Sequence, residues 1–95
     1  MLQAVKNYLK ITWNDEDSHI QGIIDRGQAY LNDLTGTTLD FETDGPPKTL
    51  LLDYCRYVYN NASEYFEENY SKEILRLQLQ EGIKAMADEV VSDEV

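Results

Sequence analysis

Cysteine, histidine and proline are nearly absent from this sequence, at one, one and two residues. A lone Cys55 rules out an intrachain disulfide and fits a reducing compartment. A lone His19 leaves any zinc site dependent on carboxylates. Cations are scarce as well: eight stand against eighteen acidic residues, for a net charge of −10. That balance excludes a conventional nucleic-acid binder, which needs a basic face to neutralise phosphates. It also works against anionic membrane surfaces. No apolar run approaches the ~20 residues of a membrane span. Residues 2–11 do not read as a secretory leader, because Lys6, Asn7 and Lys10 punctuate them. A glycine-rich phosphate loop, a nucleophile elbow and a CxxC pair are all missing. No catalytic residue and no cofactor site can be nominated, and the chain is not expected to be an enzyme.

What is present is apolar enough to fold. Hydrophobic residues make up 42% of the 95, seven of them tyrosines, which is too many for a disordered chain. The length suits one domain, and a core of this size is marginal alone, so assembly is a natural source of extra stability.

The stretch 47–67 is the richest. The Pro46-Pro47 pair suits a helix start, where a missing N–H has no partner to lose. Leu51, Tyr54, Cys55, Val58, Ala62, Tyr65 and Phe66 fall together on a helical wheel, extended by Leu50, Tyr57, Leu52 and Tyr59. The arc is roughly 220° wide, where a surface helix needs about 100°. The pattern predicts a central helix of about six turns, covered on two sides. Cys55 reads as a small buried hydrophobe rather than a reactive thiol.

Around it the spacing predicts three more helices. A short one covers 2–9, with Leu2, Val5, Tyr8 and Leu9 on one side. A linker with Trp13 follows, the indole expected over a seam between elements. Asn14 or Asp15 is expected to cap a helix over 15–34, whose face is Ile20, Ile23, Ile24, Gly27, Tyr30, Leu31 and Leu34. Gly27 in mid-face predicts close approach by another helix. Gly36 stops the helix. Residues 37–45 form a loop pinned by Leu39 and Phe41. Asn69 or Ser71 starts a last helix to about 87, with Leu75, Leu79, Gly82, Ile83 and Met86 on one face and Ile74 and Leu77 on another.

The expected architecture is all-α: a bundle of about four helices around a long central one, over 1–88, with an acidic flexible tail at 89–95. The expected core is Ile20, Ile24, Leu31, Leu51, Cys55, Val58, Ala62, Leu75 and Leu79. Tyr57, Tyr59, Ile74 and Leu77 fall outside the best-packed arcs and are the candidate oligomer interface. Tyr54, Tyr57, Tyr59, Tyr65 and Tyr70 read as core packing, with a protein interface as the sharper alternative.

Two acidic clusters could suggest chemistry. Asp15-Glu16-Asp17-Ser18-His19 lacks the glycine and distant glutamate of a calcium loop, so helix capping and solvation are preferred and no metal is expected. Asp40, Glu42 and Asp44 have no histidine or nucleophile nearby, and a solvated loop is preferred.

Three stretches carry a family resemblance. LKITWNDEDSHIQGIIDRGQAYLNDLTG is similar to the opening of the small head–tail connector, or head-completion, proteins of tailed phages and prophages. LLLDYCRYVYNNASEYFEENY and EILRLQLQ resemble that family's middle and terminal helices. Together they span residues 1 to about 85. The resemblance implies an all-helical structural protein of the virion neck, present in host cytoplasm during assembly. It implies a ring of copies below the portal protein, beside a tail-side completion protein, with DNA passing through a channel but not held specifically. The composition alone also suits a small acidic regulatory or adaptor protein of a bacterial host, or a DNA mimic.

Overall fold

The structure is a computed structural model that describes the backbone of residues 1–94 and the side chains of residues 1–86. Among them the order is α1 (Leu2–Leu9), α2 (Asp17–Thr35), α3 (Pro46–Tyr59), a 3₁₀ turn (Ser63–Tyr65), α4 (Phe66–Asn69) and α5 (Ser71–Glu94). The fold is all-α. The acidic tail expected over 89–95 lies outside the described side chains.

Helix α1 ends on Lys10, which adopts a left-handed conformation at φ 61°. Its turn lets the Ile11 amide reach the Lys6 carbonyl at 2.8 Å and sends Ile11 into the core. Helix α2 starts after Glu16, without the side-chain cap expected from Asn14 or Asp15. It stops at Gly36, φ 70°, the left-handed conformation that glycine adopts without a Cβ penalty. The loop beyond is held by Leu39, whose amide donates to Asn32 Oδ1 at 2.9 Å. Leu39 and Phe41 are both buried. Pro46 and Pro47 then occupy the first turn of α3.

The centre of the molecule is the crossing of α2 and α3. Ile20, Ile23, Ile24 and Leu31 from α2 meet Leu50, Leu51 and Cys55 from α3, all buried. Gly27 allows the approach: a Cβ there would sit 2.7 Å from Tyr54 Cδ1 and 2.8 Å from Leu51 Cδ1. The close contact expected at this glycine is therefore present. Val5 and Ile11 close one end of the core, and Phe66, Ile74 and Leu77 another.

The single helix expected over 47–67 is interrupted. Helix α3 is 14 residues long and gives way at an asparagine pair. Asn60 Nδ2 donates to the Arg56 carbonyl at 2.8 Å. Asn61 takes φ 58°, a region asparagine tolerates better than most residues. The Ala62 amide bonds back to the Tyr57 carbonyl at 2.8 Å. The reversal lays Phe66 against Tyr54 and Tyr57, at centroid distances of 5.5 and 5.8 Å. A straight helix would have carried Phe66 away from both.

The core expectation needs correcting on α5. Leu75 and Leu79 are exposed, at 55% and 59%, while Ile74 and Leu77 are buried at 7% and 2%. The helix docks through its narrower apolar face, fixed by Gln78 Nε2 donating to the Leu34 carbonyl at 2.9 Å. Ile74 and Leu77 are thus withdrawn from the candidate interface. Val58 and Ala62 are half-buried, because the break after Tyr59 removes the covered surface a continuous helix would have given them.

Candidate assembly surface

Several polar groups of this protein tie its helices together. Buried Lys6 holds Asp17 Oδ1 at 2.7 Å and donates to Asn14 Oδ1 at 2.6 Å, fastening α1 to the start of α2. The Tyr8 hydroxyl donates to Asp53 on α3. Arg56 lies 3.6 Å from the same carboxylate and donates to the Tyr70 hydroxyl at 3.1 Å, reaching the start of α5. The Asp53 bond, ahead of burial, pushes Tyr8 above its ordinary pKa.

Glu16 is a second junction. It accepts from Tyr59 Oη at 2.7 Å and from Trp13 Nε1 at 2.8 Å. These two donors, Tyr59 first, hold its carboxyl below the usual range. Trp13 is therefore anchored by its N–H at the junction of the linker, α2 and α3, and is 47% exposed rather than packed down over it. Of the acidic run at 15–19, Glu16 and Asp17 are thus held by internal contacts. Asp40 accepts the amides of Glu42 and Thr43, and its carboxyl is held low by the Thr43 hydroxyl and these amides. Asp44 pairs with Lys48 at 3.0 Å. No group of acidic, histidine or cysteine side chains suited to a metal is formed among the described residues.

The tyrosines separate into three roles. Tyr30, Tyr54, Tyr57 and Tyr70 pack with Phe66 in one aromatic cluster, with centroids 4.9 to 6.4 Å apart. Burial, then its bond to Glu67, pushes Tyr30 up to about 12. Tyr59 and Tyr57, both half-buried, serve internal bonds to Glu16 and Asn69. Tyr65 alone of the candidate interface tyrosines stands out in solvent, 54% exposed. Burial lifts the Cys55 thiol to about 12, which leaves no thiolate for reaction at neutral pH.

A groove between α3 and α5 is lined by Leu50, Asp53, Tyr70, Arg76 and Leu77. Its volume of about 160 Å³ falls short of the 300–1,000 Å³ common for small-molecule sites.

The surface that remains unexplained by internal packing is the outer face of α5. Leu75, Leu79, Ile83 and Met86 are 55%, 59%, 66% and 65% exposed. Their spacing places them on one side of the helix, along about 16 Å of its length. Lys72 stands at the amino end of the same side and Arg76 on its flank toward the α3–α5 groove, both exposed and in no ion pair among the described residues. Sequence reasoning grouped the four apolar residues on one face but assigned that face inward. The available signal was the second, shorter apolar face at Ile74 and Leu77. Four large apolar side chains in one exposed stripe make this face the candidate contact surface.

No described helix is long and apolar enough to cross a membrane. A family model described as Phage gp6-like head-tail connector protein matches residues 1–90 of the chain. No curated protein and no solved structure matches it.

Proposed function

The chain belongs to the phage gp6-like head-tail connector family, and from that premise we propose that it assembles as a ring below the portal. In this reading the ring forms part of the DNA channel joining capsid to tail, in the neck of the virion. Its partners are further copies of itself, the portal protein and a tail-side completion protein. No cofactor and no catalysis are involved.

The single observation that carries the reading is the family match over residues 1–90. Three features of the molecule support it. The exposed apolar face of α5 leaves the isolated chain with surface to cover. The net charge of −10 suits a channel wall that must let DNA slide. The ties between helices made by Lys6, Tyr8, Arg56 and Glu16 suit a structural part.

Co-sedimentation with portal-bearing capsids tests the proposal. The protein is expected to pellet with capsids that carry a portal and to stay in solution with capsids that lack one. Absence of any portal association, with a soluble regulatory protein captured instead, would overturn it in favour of a host adaptor.

A further inference from the structure

We infer that the outer stripe of α5 is covered by a second copy of this chain, seated on that copy's corner formed by Glu64, Tyr65 and Glu68. The inference rests on the ring reading above and specifies which surfaces meet.

The stripe carries four exposed apolar side chains and is flanked by two cations, Lys72 and Arg76, that have no ion-pair partner among the described residues. In a chain with eighteen acidic residues against eight basic ones, two cations beside one exposed apolar face give that face a local charge opposite to the rest of the surface. A partner for this face needs apolar area flanked by carboxylates.

The corner supplies both. Tyr65 is 54% exposed and its ring joins no aromatic pair among the described residues, unlike Tyr54, Tyr57 and Tyr70. Glu64 and Glu68 flank it, exposed and in no ion pair among the described residues. Tyrosine with a free hydroxyl offers large contact area and a polar tip. The other exposed aromatics, Trp13 and Tyr8, are a poorer match. Of the carboxylates near them, Glu16 is engaged by Trp13 and Tyr59, Asp17 by Lys6 and Asp53 by Tyr8, which leaves Asp15 alone beside Trp13. A contact between two unlike surfaces repeats from copy to copy, which is the geometry that closes rings.

Charge reversal tests the pairing, because all four charged positions are exposed and their replacement should leave the fold intact. Variants are Lys72→Glu with Arg76→Glu, Glu64→Lys with Glu68→Lys, and the fourfold combination. Circular dichroism checks helicity. Self-association is read by sedimentation velocity, and copies bound per portal-bearing capsid by quantitative gel. Each double variant is expected to lose at least tenfold in association or in copies bound, and the fourfold variant to regain most of it. Unchanged assembly of the double variants would overturn the inference while leaving the connector reading in place. So would loss without rescue, which means that the stripe and this corner do not meet. Failure of the unmodified chain to bind portal-bearing capsids would instead strike the connector reading itself.

Discussion

Gly27 sits where α2 and α3 come closest, and its missing side chain sets their separation. A methyl group there would meet the Tyr54 ring at 2.7 Å, well inside contact distance. Overpacking of this kind costs about 1–3 kcal/mol, against a helix-propensity gain of ~1 kcal/mol for alanine over glycine. Gly27→Ala should therefore lower stability by up to about 2 kcal/mol, seen as a lower urea midpoint at unchanged slope. Gly82 has nothing within 4 Å, so Gly82→Ala should leave stability unchanged or raise it by up to ~1 kcal/mol. Tyr30 gives a second residue-level expectation. Its pKa rises from 10.0 to about 12 on folding, by burial and then by Glu67. A proton held more tightly in the folded chain stabilises it fully below the unfolded value. That contribution is lost as pH climbs through the folded value. Urea midpoints of the parent protein should fall between pH 10.0 and about 12, and Tyr30→Phe should flatten that part of the decline.

At the scale of elements, the break after α3 decides how the chain returns. Asn61 at φ 58° is its pivot. A β-branched residue in the left-handed region costs about 1–2 kcal/mol. Asn61→Ile should thus destabilise by that amount, whereas Asn61→Gly should be neutral or slightly stabilising, both read from thermal midpoints. This break was hidden in the sequence because Ala62, Tyr65 and Phe66 continue the helical phase of Leu51, Cys55 and Val58. The cue was the adjacent Asn60-Asn61 pair, a local preference outweighed by the apolar pattern. Helix α1 was legible to its ends, and α2 to within two residues, because each has a single apolar face and a definite stop. The docking side of α5 was not legible. It has two apolar faces, and the wider one is the natural guess for a core. What selects the narrower is tertiary: the Leu34 carbonyl that Gln78 reaches, and the space that Ile74 and Leu77 fill beside α3. The candidate surface was therefore visible as a pattern, with inside and outside exchanged.

For the whole molecule the governing quantity is charge. Eight cations are scattered among eighteen acids, and Lys6, Lys48, Arg56 and Lys84 lie within 4.0 Å of carboxylates. Non-specific DNA binders reach affinities of about 10⁻⁴ to 10⁻⁶ M through clustered cations that release counterions. An anisotropy titration of duplex DNA at physiological salt should show no binding in that range. Micromolar affinity with a steep salt dependence would contradict the acidic account of the surface. The junction at Glu16 has a different kind of consequence, an optical one. Trp13 is the chain's one tryptophan, and its N–H shares Glu16 with the hydroxyl of Tyr59 at the far end of α3. Selectively excited indole emission is therefore a gauge of one joint, where the linker, the start of α2 and the end of α3 meet. It does not sample the aromatic cluster around Phe66. A fluorescence melt follows the parting of that joint, and it overlays a far-ultraviolet dichroism melt only if the helices let go together.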